Sequence, residues 1–441
     1  MDFIHVLSQL SKKKKTRDYE LATLNVTKKL LISLIHGLGK KSFGFDTAKE
    51  IALDIQNYVQ SKPINFDLYI DSGGYSIIKG DVPFNNTQKF IESYHQYLET
   101  HHEDFNYIFS LDIPLWGSQD EKNTIENLYK FNQISLSYSC DLLKKYNQAL
   151  IDKFLFVWHF KILDQFETWN KIYDELQLNS YVKNRAIGGL VGLRGDLTHI
   201  DFSIFIPMAF RCFYDHLDGP YAKNVFKLHF LGINLPQDRF AIALLEKLFQ
   251  QYLDDPDLID LTYDSISYTI KAFQNVRDPK TYDFHNNQLI QYKSVHRLPD
   301  HIVDKVYYTP ELKDGFFDAK ELLIQGENLT DTSVVMPLST YSNVMLDKYM
   351  IHLVQKYQFI DIITSTTFKT KAMKQANNAL IELKNNEPHN FSDNFFKEVE
   401  NDFDIIFDLH QLYDQGRDRK TLDDFIRETV TGKIRHPFRF K

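Results

Sequence analysis

Short apolar runs alternate with longer amphipathic ones through roughly the first 275 residues, and this alternation constrains the fold more than any other feature. The runs that read as buried strands are Leu30–Ile35, Phe66–Asp71, Tyr107–Asp112, Phe154–His159, Arg185–Leu190, Lys227–Ile233 and Leu258–Asp264. Most are rich in β-branched or aromatic residues and are followed by a turn signal. Between them, helical periodicity predicts helices over Thr47–Val59, Thr87–Thr100, Glu121–Tyr146, Gln165–Leu176 and Gln237–Leu253. Strand and helix in regular alternation imply right-handed βαβ units and a parallel sheet. Seven or eight units, with strand starts roughly 30–50 residues apart, suit a (β/α)8 TIM-like barrel. An open dinucleotide-binding sheet would carry Gly-x-Gly-x-x-Gly after its first strand, and the chain has none.

The texture changes near residue 280. Polar segments rich in Asn and Asp (NVRDPKTYDFHNNQ, ELKNNEPHNFSDN) separate helical stretches near Thr340–Tyr357, Lys369–Lys384 and Asn394–Tyr413. The expected organisation is therefore an α/β barrel over residues 1–280 and an additional, mostly helical C-terminal region over 281–441, a candidate nucleic-acid-binding platform. At 441 residues, 43% hydrophobic and 25% charged, the chain lies outside the disordered range. Its net charge of −8 excludes a uniformly basic nucleic-acid coat but not local basic patches. Its two cysteines, Cys140 and Cys212, make no zinc-type Cys-x-x-Cys and give no sign of an oxidising compartment. The N-terminal MDFIHVLSQLSKKKK places apolar residues before charges, the reverse of a signal peptide. The most apolar stretch, Ile200–Phe213, contains Asp201 and Arg211 and is too short to span a bilayer. A cytoplasmic protein with no membrane partner is the expectation, in a bacterial or phage-infected host cell.

Position singles out the chemistry. Asp71, Asp112, His159, Gly188, Gly189, Gly232 and Asp264 all fall at the C-terminal end of a predicted strand or just after it. In a (β/α)8 barrel this is the face on which active sites are built. Carboxylates converging there raise one another's pKa, which suits a nucleophile, an acid/base and a reader of a polar substrate edge. Each residue also has a purely structural reading. Asp71 and Asp264 could cap helices, Asp112 could end a strand stopped by Pro114, and His159 could be a satisfied core histidine.

Taken in order, DSGGY at 71–75, LDIP at 111–114, AIGGLVG at 186–192, HFLGI at 229–233 and DLTYDS at 260–265 resemble the tRNA-guanine transglycosylase superfamily. The resemblance spans about residues 30–275 and rests chiefly on DSGGY and AIGGL. It implies that Asp264 is the nucleophile that bonds to C1′ of a nucleotide, and that Asp71 is the general acid/base for the departing and incoming bases. It further implies that Tyr75 stacks on the purine and that Asp112 accepts from a guanine-like edge. Gly188, Gly189 and Leu190 would form the backbone cradle for the base. His159 stands where the family usually has a base-reading glutamine.

The chain departs from the tRNA enzymes in lacking the Cys-x-Cys-x-x-Cys…His zinc site after the nucleophile, so no metal or other cofactor is expected. His285, His296 and His301 do not restore that set. A zinc-free relative resembles most the DpdA-type DNA 7-deazaguanine transglycosylases of phages and bacteria. The expected partners are DNA and a free 7-deazaguanine base such as preQ0 or preQ1. Flipping of the target guanosine would then be required. Phosphate contacts would come from Arg194 beside the glycine loop, from Lys12–Lys15 with Arg17, or from the tail Gly432–Lys441. The same exchange on tRNA and a non-catalytic binding subunit remain as alternatives, and the sequence leaves open a homodimer or a partner protein. A glycoside hydrolase would also place two carboxylates on a barrel, but it does not explain DSGGY together with AIGGLVG.

Overall fold

The computed structural model describes residues 1–6, 27–33, 66–74, 82–114, 124–160, 162–189, 205–233, 236–265, 281–285, 288–292, 351 and 419–430. Eight parallel strands close into a barrel in sequence order: β1 (Asp2–Val6), β2 (Lys29–Ser33), β3 (Asp67–Asp71), β4 (Tyr107–Phe109), β5 (Phe154–His159), β6 (Asn184–Gly188), β7 (Phe226–Phe230) and β8 (Ile259–Asp264). Closure comes from β1 pairing with β8, Ile4 opposite Asp264, which leaves no open sheet edge. This is the expected (β/α)8 architecture. The sequence reading lacked its first strand: DFIHV, noted only as apolar residues before charged ones, is the strand that completes the ring.

The described helices outside the ring are α1 (Thr87–His101), α2 (Ile125–Tyr146) with one further turn at Gln148–Ile151, α3 (Leu163–Glu175), α4 (Phe205–Leu217) and α5 (Pro236–Gln250). Helix α2 starts four residues later than its periodicity predicts because Thr124 caps it, its side chain accepting from the Asn127 amide at 3.2 Å. Lys144 and Lys145 in its last turn oppose the negative end of the helix dipole. Helix α4 contains the later part, from Phe205, of the apolar stretch judged above too short to span a bilayer. It is buried almost all round, including Arg211, so it has no polar face to announce it. Among the described residues no helix is long and apolar enough to cross a membrane.

Beyond residue 280 the described segments are an antiparallel pair, β9 (Thr281–His285) and β10 (Gln288–Tyr292), and α6 (Arg419–Val430). The first of these strands falls in the segment read from sequence as a linker, and the second begins at its last residue. The helix predicted over Thr47–Val59 lies outside the described residues, as do all but Ile351 of the three predicted after residue 340. Helix α6 docks on α3 and α4. Asp423 meets the buried Arg211, which also donates through Nε to both oxygens of Asp215 at 3.1 Å. Asn170 donates to Asp423 at 3.1 Å, Arg419 pairs with Asp174 at 2.6 Å and Arg427 with Glu167 at 2.6 Å.

Period-two alternation along the strands fills the barrel in layers. Ile4, Leu31, Tyr69, Phe109, Leu155, Val157 and Ala186 form its apolar middle. Beneath them lies a charged floor. Lys29 bridges Asp2 at 3.0 Å and Asp260 at 3.4 Å, and Lys227 also pairs with Asp260. The Lys227 ammonium rests 4.1 Å from the Tyr107 ring centroid. The other open end of the barrel, above the apolar middle, holds the site.

Candidate active site

Four strands carry carboxylates or histidines to the C-terminal rim. Asp71 ends β3, Asp112 follows β4, His159 ends β5 and Asp264 ends β8.

Asp112 is the most firmly held. Helix α2 grips the chain on both sides of it. Asn132 accepts from the Ile113 amide at 2.7 Å and donates to the Ile113 carbonyl at 2.8 Å, while Ser135 donates to the Leu111 carbonyl at 2.8 Å. The Asp112 side chain is buried, accepting from the Ser72 hydroxyl at 3.3 Å on Oδ1 and bonded to His159 Nδ1 through Oδ2. Asp112 and His159 therefore orient one another. His159 is neither an isolated core residue nor a free reader of substrate: its Nδ1 is committed to a carboxylate.

The glycines of the two specific motifs have steric causes. A Cβ on Gly74 would stand 3.0 Å from both the carbonyl and the Oδ1 of Asp112. A Cβ on Gly188 would stand 3.3 Å from His159 Nδ1. Gly189, at φ +78°, would bring one to 2.9 Å from the Phe160 carbonyl. The second glycine of DSGG and both glycines of AIGGL thus let backbone close around the Asp112–His159 pair.

Asp71 sits near two other carboxylates. Burial, then the charges of Asp112 and Asp264, push its carboxyl up to about 7, against the Gly73 amide, which favours the charged form. At neutral pH it is poised to give or take a proton. Asp264 is buried beside it on β8. The Asp264 Oδ1 accepts from the Gly232 amide at 2.9 Å and from His229 Nε2 at 3.0 Å, and its main-chain carbonyl accepts from Ile233 at 2.8 Å. Gly232 reaches this position at φ +76°.

The structure therefore gathers Asp71, Asp112, His159, Gly188, Gly189 and Asp264 at one rim. Tyr75, Leu190 and Arg194 lie outside the described residues, as do Lys12–Lys15, Arg17 and Gly432–Lys441. Sequence reasoning assigned no role to Ser72, Thr262 or, above all, His229. His229 sits between Lys227 and Leu231 at the inward-facing spacing of β7, a spacing that a space-filling histidine shares.

Fold and site together define a (β/α)8 barrel with an acidic cluster at the C-terminal mouth, one of whose carboxyls titrates near neutrality. No protein-family model matches the chain, and no curated protein matches it at a significant level.

Proposed function

We propose that the chain is a base-exchange transglycosylase that replaces guanine in DNA with a 7-deazaguanine base. The observation that carries this reading is the pairing of two unlike carboxyls at one barrel mouth. Asp71 is pushed up to about 7, whereas Asp264 is anchored through a single oxygen by two N–H donors. Environments that separate two neighbouring carboxyls in this way divide labour between acid/base and nucleophile.

In the first half-reaction Oδ2 of Asp264 bonds to C1′ as the C1′–N9 bond breaks, and protonated Asp71 gives its proton to the departing guanine. In the second, Asp71 takes the N9 proton of the incoming base, N9 bonds to C1′, and the bond to Asp264 breaks. No net proton or electron is gained, and no nucleotide triphosphate is consumed. A carboxylate below C1′ also stabilises the positive charge that develops there. Because a 7-deazaguanine lacks N7, which helps protonate the leaving base, the exchange runs in one direction. Asp112 and His159, locked together, would read the Watson–Crick edge as a unit, Asp112 accepting from the N1–H and the exocyclic amine.

The preference for DNA over tRNA rests on the sequence, which has no cysteine beyond Cys212 from which to build the zinc site of the tRNA enzymes. The test is incorporation of labelled preQ0 by the purified protein into duplex DNA and, in parallel, into unmodified tRNA. Label in DNA that disappears with Asp264→Asn is the expected outcome. Label in tRNA alone would move the activity to RNA. Label in neither, with parent and variant alike, would favour a non-catalytic subunit.

A further inference from the structure

We propose that His229, held by Thr262, is a positioning residue for Asp264: it pins one carboxylate oxygen so that the other is the one presented to substrate. This inference rests on the nucleophile role proposed above for Asp264.

The chain of contacts is short and buried. His229 is fully buried on β7. Its Nε2 lies 3.0 Å from Asp264 Oδ1 and its Nδ1 lies 2.9 Å from Thr262 Oγ1. Thr262 and Asp264 are two residues apart on β8, so their side chains share the inner face and bracket the imidazole across one strand pair. The same Oδ1 accepts from the Gly232 amide. Among the described residues both hydrogen bonds to the carboxylate end on Oδ1, and Oδ2 receives none. Two donors on one oxygen fix the carboxylate plane and leave the second oxygen with its lone pairs.

The protonation pattern follows from the partners. A carboxylate only accepts, so Nε2 must carry the proton; Nδ1 is then an acceptor, and the Thr262 hydroxyl donates to it. The surroundings favour this neutral form. Burial lowers the imidazole pKa, Lys227 on the same strand and Lys29 on β2 push it the same way, and Asp264 alone among the facing charges opposes them. From β4 the Phe109 ring meets the imidazole edge-on at 5.0 Å, an apolar wall that offers no competing partner. An imidazole serving only to fill the barrel would not need a hydroxyl on one nitrogen and a carboxylate on the other.

Two measurements test this. The first is the 15N spectrum of histidine-labelled protein, in which the His229 signals are identified by their loss in His229→Phe. The expected pattern is a protonated Nε2 with an unprotonated Nδ1 at pH 7 to 8. A protonated Nδ1 with a bare Nε2 would overturn the proposal, because such an imidazole has nothing to donate. The second is the single-turnover rate of covalent complex formation with DNA. His229→Phe should lower it about 10–100-fold at unchanged KM for DNA, the scale of a misplaced reacting group. His229→Gln, whose amide can reach Asp264 from the same side, should recover most of the loss. A His229→Phe protein that folds and traps at the parent rate would overturn the proposal. So would a rate that His229→Gln does not recover. If the parent itself forms no covalent complex, the functional reading fails, and the 15N pattern alone decides whether His229 anchors Asp264.

Discussion

At the scale of single residues, the pH behaviour of Asp71 is the most exposed consequence of the site. Its carboxyl is raised from 3.8 to about 7 by burial and by its carboxylate neighbours, so the folded protein holds the proton more tightly than the unfolded chain. The associated stability is complete below pH 4 and is lost as pH rises towards 7. Asp71→Asn should therefore stabilise the fold at pH 8 by on the order of 1–3 kcal/mol and change little at pH 4, measured by urea unfolding at the two pH values. The same group should impose a fall in the rate of covalent complex formation above about pH 7, and the inflection should vanish in Asp71→Asn. Gly74→Ala sets a methyl 3.0 Å from Asp112 Oδ1; it should weaken base binding at least 10-fold by displacing Asp112, as read by the KM for the free base. The carboxylates were legible because strand ends mark the mouth of a barrel. His229 was not, because a histidine inside an apolar strand has the same sequence signature whether it fills space or serves a carboxylate.

At the scale of elements, two segments of the barrel escaped the reading for opposite reasons. β1 has only five residues, too few for periodicity to work on. Helix α4 was hidden by its own burial: covered on one side by the barrel and on the other by α6, it lacks the polar stripe by which a surface helix is recognised. The contact that seats α6 is polar and buried. Asp423→Ala removes one carboxylate from Arg211 and leaves Asp215 as its acidic partner, so the expected loss is about 2–3 kcal/mol, less than for a wholly orphaned charge. Hydrogen exchange over 419–430 should rise in that variant while exchange in β3–β5 stays as in the parent. Equal protection of α6 in both would show that the ion pair does not seat it.

At the scale of the whole molecule, alternation alone carried the architecture, because a closed parallel ring is the arrangement that buries so many successive strand–helix units. What alternation could not convey is how the barrel is filled. The floor of Asp2, Lys29, Lys227 and Asp260 offered only isolated charges in the sequence, and they meet only because four strands bring them to one level. Burial would raise the Asp260 carboxyl, but Lys227 and Lys29 outweigh it and bring it down to about 2. That stability is present above pH 4 and is lost as pH falls towards 2, so acid should unfold the barrel with a loss of about 1–2 kcal/mol from this group. Asp260→Asn should flatten the stability profile between pH 4 and 2 in thermal melts. At the opposite end the excess of carboxylates is what the proposed base exchange would use. The most direct measurement of that chemistry is to incubate the protein with duplex DNA, quench with denaturant, digest, and map the covalent nucleic-acid adduct by mass spectrometry. The adduct is predicted on the peptide that holds Asp264, absent in Asp264→Asn and discharged on adding the free 7-deazaguanine base; an adduct on any other residue, or one that survives in Asp264→Asn, would contradict the account.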